Sequence, residues 1–429
     1  MAAIKRSSLR KRLHTGLRAL FGGLPRDWRF AVYRRMVDCD PQPDARLQLK
    51  IAETQEELEA CFRILHDAYV AAGFMKPDPS GMRITIYHAL PTTTTICAKW
   101  EGRVVGTISM IREGVFGFPL QSVFDLAGVR RKRGNIAEIS ALAVHPDFRK
   151  TGGAVLFPLM KFMHQYCTEY FDTRHLVIAV NPDKIELYEA LLFFERLQAR
   201  TVDAYDFANG APAVGATLDL SQSEALFRAV YQFRPLRKNL HHFFYRQSLD
   251  NIILPSRRYF TTNDPVLTPA LLDHFFNRLS PVLQGLDDRK KALLWSIYNT
   301  PEYRQVLPML AGQALEHHPL RQHQRYSIRC PAEMRLVSAT GERVCVLDII
   351  EISAAGFQAR CGNDLALEVT GDVVVDLGEH ERARLRAQVV RKREGEQGRF
   401  FGFKLVEEPD APWRNCVAAF ETGQTHRDL

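Results

Sequence analysis

The 429-residue sequence lacks features that would assign it to several common classes of protein. No apolar run reaches the length of about 18–20 residues that a membrane-spanning helix needs. The N-terminal residues lack a secretory pattern, because arginine and lysine interrupt the apolar residues between Leu9 and Leu24. The eight cysteines include no CxxC pair and no histidine at zinc-ligand spacing. We therefore expect a cytoplasmic protein with reduced, mostly buried thiols and no metal site.

The sequence outside the N-terminal segment has no net positive charge. Residues 1–38 hold ten basic and two acidic side chains, which is the whole net charge of +8, and the remaining residues are balanced. Proteins that bind a polyphosphate backbone need a basic surface, so we predict no nucleic-acid partner.

The basic segment also has apolar residues three and four positions apart, on one face of a predicted helix: Leu9, Leu13, Leu17, Leu20 and Phe21. Three interpretations of residues 1–38 stay open. The helix lies on an anionic membrane surface, which would make the protein peripheral on the inner membrane. Alternatively, it docks an acidic carrier protein, or it packs on the next domain with a solvated basic face.

The periodicity of apolar residues changes along the chain and predicts four regions, which together define an α+β protein. The basic amphipathic segment covers residues 1–44. Strand and helix patterns alternate over residues 45–220, which is typical of a mixed sheet with flanking helices. Residues 221–316 have helical periodicity cut short by prolines. In residues 317–429, short strands separated by brief turns, with one late helix, predict a small β-barrel.

A glycine-containing turn is predicted at residues 149–154, between a strand that ends at Val144 and a helix that begins near Val155. Glycines at Gly152 and Gly153 would let backbone amides approach a phosphate or a pantetheine, and the helix N-terminus adds a favourable dipole. The pattern alone is equally typical of a plain structural turn.

With Asn181 and Tyr188 of a second strand–helix unit, this turn resembles the GNAT superfamily of acyltransferases. A longer ordered series resembles its N-acyl amino acid synthase (FeeM-type) branch, which is related to N-acylhomoserine lactone synthases. The series comprises Gly73-Phe74-Met75, Pro79–Arg83, Leu90–Thr94, Val105-Gly106-Thr107, Gly117–Leu120, Ala137–Val144 and Gly210–Ala213.

The resemblance implies transfer of a fatty acyl group from acyl carrier protein, or from coenzyme A, to the amine of an amino acid or a related acceptor. It implies no tightly bound cofactor, only an acyl-phosphopantetheine donor. In the family the first strand splays from its neighbour and holds the pantetheine arm in the gap. The residues that would bind this arm are Val144, Arg149, Gly152, Gly153, Ala154 and Asn181.

Acyl transfer also requires that the acceptor lose a proton, because only a neutral amine attacks a thioester. Glu138 is the candidate general base, directly or through a water, and strand alternation puts Ser140 on the same face. Tyr188 is the candidate donor of a proton to the departing thiolate. A solvated or salt-bridged strand-end carboxylate and a packing tyrosine are the structural alternatives for Glu138 and Tyr188.

Recognition of the acceptor is assigned to arginines. Lactone synthases usually carry an arginine three residues after the glutamate, where this sequence has Ala141. Arg63 and Arg83 are the candidates to clamp an acceptor carboxylate, because a guanidinium binds it bidentately. An ordinary surface ion pair is the alternative for each.

In the predicted barrel, Arg321 and Arg325 form an Arg-x-x-x-Arg cluster, and a segment that begins at Glu351 and ends at Gly356 follows. This combination resembles PilZ, a small barrel that binds cyclic di-GMP. Arginine would pair with phosphate oxygens or with guanine, while Ser353 and Gly356 complete the polar shell. PilZ modules that bind the nucleotide usually have aspartate or asparagine in place of Glu351.

The sequence therefore predicts an N-acyltransferase whose activity is modulated by cyclic di-GMP. Two alternatives remain. One is a non-catalytic signalling adaptor with a degenerate GNAT-like domain, favoured by Ala141 and Glu351. The other is a short-chain acetyl-CoA acetyltransferase.

Overall fold

The computed structural model describes residues 21–149, 151–257, 259–298, 300–310, 323–338, 341–378, 381–395, 398–422 and 426–427. The predicted helix of residues 9–21 lies almost entirely outside this part of the chain, as does Arg321. None of the described helices combines the length and the apolar composition that a membrane-spanning segment needs.

The first half of the chain forms a mixed eight-stranded sheet with strand order β1-β2-β3-β4-β5-β8-β6, and β7 pairs with β8. All neighbours are antiparallel except β4 and β5, which run parallel. The strands are β1 (Leu47–Ile51), β2 (Thr93–Trp100), β3 (Arg103–Arg112), β4 (Asn135–Val144), β5 (Thr173–Val180), β6 (Glu195–Arg196), β7 (Val202–Tyr205) and β8 (Ala211–Asp219).

Helices cover both faces of this sheet, because its central strands are apolar on both sides. The second and fourth helices form most of these layers: Leu58, Phe62 and Leu65 of α2 pack in one apolar cluster, and Leu159 and Phe162 of α4 pack in another. The helices are α1 (Arg26–Met36), α2 (Gln55–Ala71), α3 (Ala127–Arg130), α4 (Leu156–Gln165), α5 (Pro182–Leu192), α6 (Leu220–Tyr231) and α7 (Leu240–Tyr245).

The linking region contributes to the core of the sheet domain. Phe275, Leu294 and Trp295 are buried in the same cluster as Phe62 and Leu65 of α2. Prolines keep its elements short, as the sequence predicts. These are β9 (Ser256–Arg257), α8 (Pro269–Asp273), which continues as a π-helical turn over His274–Arg278, and α9 (Asp288–Ile297).

The C-terminal strands form a closed six-stranded barrel of order β10-β11-β12-β15-β14-β13. The last helix packs on it, with Trp413 buried and 5.9 Å from the ring of Phe357. The elements are β10 (Tyr326–Ser338), β11 (Gly341–Ser353), β12 (Gly356–Cys361), β13 (Thr370–Gly378), β14 (Glu381–Gly395), β15 (Gly398–Leu405), α10 (Ala411–Glu421) and β16 (His426–Arg427).

The predicted α+β class is confirmed, with a mixed sheet and a separate barrel. All eight cysteines are buried free thiols, also as predicted. The chain boundaries assigned to the four regions stay a prediction.

Candidate functional site

A deep apolar cavity opens where β4 and β5 separate. The two strands pair only as far as Glu138 and Val177. Beyond that point the gap between them forms a cavity of about 170 Å³ that reaches α4 and α7. Most of its wall is apolar, including Ile139, Leu142, Met160, Met163, Ile178, Val180, Leu192, Phe227 and Phe244. Such a wall suits a hydrocarbon chain.

An irregularity in β4 directs this separation. The register between β3 and β4 shifts between the pairs Ser109–Ser140 and Thr107–Ala143. Ala141 takes a left-handed φ of 55° at this point. A bulge bends its strand and interrupts regular pairing, so the end of β4 moves away from β5.

A second cavity, of about 10 Å³, lies on the α2 face of the sheet; we call it the polar cavity because six of its ten wall residues have polar side chains, although Leu65 and Ile111 also line it. Its wall contains Arg83 and the side chains of Tyr69, Thr85, His88, Ser109, Ser140 and Phe207. Tyr69, Ser140 and Ala141 line both cavities, so the two meet at the bulge of β4.

Arg83 is a buried guanidinium in contact with two aromatic rings. The residue is 7% exposed, and its charge lies over Tyr69 and Phe207, at 4.3 and 4.9 Å from the ring centroids. Nη2 donates to the carbonyl of Phe207, Nε is buried without a partner, and no carboxylate among the described residues pairs with it. A buried unpaired donor is costly, so a carboxylate bound here would be held strongly.

His88 is a neutral group in this polar cavity. Burial and the nearby Arg83 lower the pKa of His88 to about 3. Its Nδ1 accepts a hydrogen bond from the backbone N–H of Thr85 at 3.2 Å. Because Nδ1 is the acceptor, Nε2 carries the proton and is a hydrogen-bond donor.

Glu138 lies just behind the cavities. It is 1% exposed, and its Oε2 accepts a hydrogen bond from the backbone N–H of Leu120 at 3.0 Å. No cation among the described residues pairs with it, and burial raises the pKa of Glu138 to about 8. The solvated or salt-bridged alternative is therefore absent, but the carboxylate is not part of either cavity wall.

Two tyrosines adjoin this carboxylate. Burial, reinforced by the charge of Glu138, raises the pKa of Tyr87 to about 12 and that of Tyr205 still further. The hydroxyl of Tyr205 is buried, and none of the residues that the structure describes forms a hydrogen bond with it. Strand periodicity alone does not reveal these residues, because they reach Glu138 from other segments of the chain.

Of the other residues assigned from the sequence, Tyr188 lies at the apolar cavity and Arg63 does not. Tyr188 lines the apolar cavity, where burial raises its pKa to about 12. Arg63 is exposed on α2, pairs with Glu59 at 3.4 Å and lines neither cavity, so the structure does not bring it to the site. Asn181 caps α5, its side chain accepting from the backbone N–H of Asp183 at 2.8 Å.

The glycine turn has the expected backbone. Gly152 and Gly153 have φ values of 65° and 91°, which favour glycine. Arg149 holds the start of the turn through Nε, which donates to the carbonyl of Val144 at 2.8 Å. The backbone N–H of Ala154 bonds within the turn, to the carbonyl of Thr151.

In the barrel, Arg325 and Glu351 form an ion pair with 2.6 Å between Nη1 and Oε1. Ser353 is buried and donates to the carbonyl of Gly356 at 3.0 Å. A Cβ at Gly356 would lie 2.1 Å from the carbonyl oxygen of Phe403, so glycine is required where β12 meets β15. These motif residues therefore lie together at one end of β11 and β12.

A mixed sheet with a separated parallel strand pair, a glycine turn before a helix, and an apolar cavity through the gap defines a GNAT-like acyltransferase fold. Residues 60–219 match the family model of the N-acyl amino acid synthase FeeM, and residues 319–420 match that of the PilZ domain. The chain thus carries a FeeM-type N-acyl amino acid synthase domain, which makes it an acyltransferase, followed by a PilZ domain.

Solved structures similar to the chain include those of FeeM, BjaI and YcgR. FeeM, an N-acyl amino acid synthase from uncultured soil microbes, is 26% identical, with 42% of this chain and 94% of that chain covered and a TM-score of 0.37. BjaI, a CoA-dependent acyl-homoserine lactone synthase, is 18% identical, with coverages of 43% and 89% and a TM-score of 0.33. YcgR from Escherichia coli, in complex with c-di-GMP, is 15% identical, with coverages of 24% and 47% and a TM-score of 0.21. No curated protein matches the chain.

Proposed function

We propose that the enzyme transfers a fatty acyl group from an acyl-phosphopantetheine donor to the amine of an amino acid, and that cyclic di-GMP modulates this transfer. The observation that carries the proposal is the meeting of an apolar and a polar cavity at Ser140 and Ala141. The acyl chain occupies the gap between β4 and β5, and the acceptor lies at the bulge of β4 with its carboxylate directed toward Arg83, because the polar cavity itself has room for only about one water-sized group. This arrangement brings the thioester and the amine to the bulge of β4.

The chemistry requires three proton movements. The acceptor ammonium gives a proton to Glu138, through a water because the carboxylate lies behind the cavity wall. The neutral amine then attacks the thioester carbonyl, so a C–N bond forms and the C–S bond breaks. Tyr188 protonates the departing thiolate and regains a proton from the newly bonded nitrogen, so the products are an N-acyl amino acid and a free pantetheine thiol. A pKa of about 8 suits a base that works near neutral pH.

The first experiment tests donor and acceptor together. The full-length protein is incubated with palmitoyl carrier protein, palmitoyl-CoA or acetyl-CoA and pooled amino acids, and the products are identified by mass spectrometry. We expect an N-palmitoyl amino acid, formed faster from the carrier protein. Acetylated products alone would indicate the acetyltransferase alternative, and no product from any donor would indicate the adaptor.

The Arg325–Glu351 pair supports a nucleotide site at the barrel. A phosphate of cyclic di-GMP would displace Glu351 from Arg325, because the Arg325 guanidinium can form two parallel hydrogen bonds to a phosphate. Arg321 would be the second arginine of this site. Calorimetry of cyclic di-GMP with the full-length protein tests binding, and the Arg321→Ala/Arg325→Ala variant is expected to give no heat.

A segment of the linking region supports communication between the two domains. Asp264 accepts hydrogen bonds from Tyr166 at 2.9 Å, from Arg112 at 3.1 Å and from Thr94, and all three donors belong to the synthase domain. Arg112 is the last residue of β3, two strands from the edge and directly beside β4. Asp264 therefore ties this segment to the sheet that carries Glu138.

The same segment contacts the barrel through residues that lie two to four positions before Asp264 in the sequence. The carbonyl of Phe260 accepts from the backbone N–H of Arg329 at 3.0 Å, and Thr261 bridges Ile328. Ser327, next along β10, is the register partner of Glu351. A change in the Arg325–Glu351 pair would thus reach Asp264 through one strand of the barrel and one short segment.

A further inference from the structure

Helix α1 presents its apolar side chains to the outside. Leu24, just before the helix, and Trp28, Val32 and Met36 recur every four residues and lie on one face. All four are exposed, Trp28 by 68% and Met36 by 72%. A helix that faces water usually has the opposite arrangement, with its apolar residues against the protein.

The inner face of α1 carries Tyr33, which packs on the apolar cluster of the sheet domain, together with two arginines. Arg29 donates to Glu186 of α5 through Nε at 3.0 Å and through Nη2 at 2.5 Å. Arg34 donates through Nε to the carbonyl of Ala190 at 2.9 Å, and its charge lies 5.7 Å from the ring centroid of Phe193. These contacts hold the helix in an orientation that leaves Trp28 and Met36 outside.

Two further apolar side chains adjoin this face. Phe233 is 92% exposed and Leu236 is also exposed, both in the turn after α6. This turn is bound to the end of α1, because Arg234 donates to the carbonyl of Arg34 at 3.2 Å and Cys39 donates to the carbonyl of Arg237 at 2.9 Å. We call the combined surface of Leu24, Trp28, Val32, Met36, Phe233 and Leu236 the α1 outer surface.

The charges around the α1 outer surface are mainly positive. Arg35 lies on the exposed side of the helix, and Lys238 is partly exposed in the adjoining turn. Of the nearby acids, Asp38 and Asp40 are paired with Arg237, and Asp27 is exposed in the first turn. The 20 residues that precede this surface contain six basic and no acidic side chains. An apolar surface bordered by cations complements an anionic bilayer rather than water.

We propose that the α1 outer surface binds an anionic membrane and inserts Trp28, Met36 and Phe233 into the interface between headgroups and acyl chains. The surface lies beside the glycine turn, since a Cβ at Gly152 would be 3.1 Å from Oδ2 of Asp38. If the proposed acyl transfer is correct, this placement brings the donor-binding turn close to the membrane that receives the hydrophobic product.

The test uses the full-length protein without any acyl donor, so its outcome is independent of the proposed function. We expect the protein to sediment with vesicles of phosphatidylcholine and phosphatidylglycerol, and much less with phosphatidylcholine alone. The Trp28→Ser/Met36→Ser/Phe233→Ser variant should partition at least about tenfold less onto the mixed vesicles. Val337→Ser/Val346→Ser, which changes exposed apolar residues of the barrel, is the matched control and should bind like wild type.

Tryptophan fluorescence gives a second readout, because Trp28 is exposed whereas Trp295 and Trp413 are buried. Mixed vesicles should shift the emission of the wild type to shorter wavelength, and Trp28→Phe should remove this shift. The shift should persist after deletion of residues 2–20, although the loss of six cations weakens binding.

Several outcomes would overturn the proposal. Undiminished sedimentation of the triple variant would do so, as would equal binding to neutral vesicles. A triple variant that instead loses carrier-protein binding, or changes from dimer to monomer, would assign the surface to a protein partner. The melting temperature, which is expected to match that of the wild type, shows that the variant is folded.

Discussion

The synthase sheet and the PilZ barrel differ in the number of polar side chains that they bury. Among the described residues, the synthase region buries Glu138, Arg83, Lys161, His175 and other polar side chains, whereas the barrel strands bury only Ser353. The barrel motif instead places Arg325 and Glu351 partly exposed at its end. Acid–base chemistry near neutral pH needs a shifted pKa and therefore burial, but recognition of a charged nucleotide needs accessible charges.

Removing the charge of Glu138 is the strongest test of whether the synthase domain uses its buried carboxylate for acid–base chemistry. Glu138→Gln keeps an acceptor for the N–H of Leu120, so the fold should persist. If Glu138 is the base, kcat should fall by about 10²–10⁴-fold. In the wild type, kcat should rise with pH up to about 8, because the base works only when it is deprotonated. Wild-type turnover in the variant would remove Glu138 from the mechanism. Glu113→Gln, an exposed glutamate, is the matched control.

The same variant has a measurable effect on stability. The pKa of Glu138 is raised in the folded state to about 8 from 4.5, so the folded protein binds this proton more tightly than the unfolded chain. Stability is therefore highest below pH 4.5 for this group and is lost as pH rises through 8. Glu138→Gln should raise the melting temperature at pH 8 more than at pH 5. An equal shift at both pH values would contradict the raised pKa.

Adding one carbon to the barrel tests how tightly its strands are packed. Gly356→Ala should destabilise the protein by about 2–3 kcal/mol, because the new Cβ overlaps the carbonyl oxygen of Phe403. Cyclic di-GMP binding should weaken at the same time. Gly362→Ala is the control, since a Cβ there meets nothing within 4 Å. Chemical denaturation of both variants measures the difference, and equal stabilities would disprove the close contact.

Substitution of Arg83 tests whether this buried cation binds the carboxylate of the acceptor in the synthase domain. Arg83→Gln should raise the KM for an amino acid acceptor by about 10–100-fold with a smaller change in kcat, because it removes a charged hydrogen-bond donor. Arg63→Gln, which alters an exposed ion-paired arginine, should leave KM unchanged. An acceptor series with and without the carboxylate distinguishes recognition from packing. If both acceptors lose the same affinity, the carboxylate is bound elsewhere.

Asp264 tests the contact between the two regions. Asp264→Asn leaves Arg112 without its carboxylate, and the ratio of transfer rates with and without cyclic di-GMP should move toward one. Asp250→Asn, at an exposed aspartate of the same linking region, is the control. An unaltered ratio would show that coupling does not pass through Asp264.

The smallest effect is expected at the barrel ion pair. Glu351→Asp shortens the side chain, which then no longer holds Arg325 so closely, and cyclic di-GMP should bind up to about fivefold more tightly. Glu342→Asp on the same strand is the control. Calorimetry measures both, and weaker binding by Glu351→Asp would mean that Glu351 assists the nucleotide.

The local pattern of apolar and polar residues was sufficient to predict many of the strands and helices. The predicted strand that ends at Val144 corresponds to β4, and the predicted helix that begins near Val155 corresponds to α4, which begins at Leu156. The bulge at Ala141 was not predictable, because alanine has no local preference for positive φ and takes it only where packing compensates the strain.

The sequence by itself determined the order of domains, the candidate carboxylate and the Arg-x-x-x-Arg barrel motif, because these depend on residue type and short spacing. Only the tertiary structure decided that Glu138 is buried against the turn at Leu120, that Arg83 reaches the polar cavity and Arg63 does not, and that the segment of residues 260–264 contacts both domains. Burial and the pairing of distant residues set these properties. Both depend on how separate segments meet, which residue spacing does not specify.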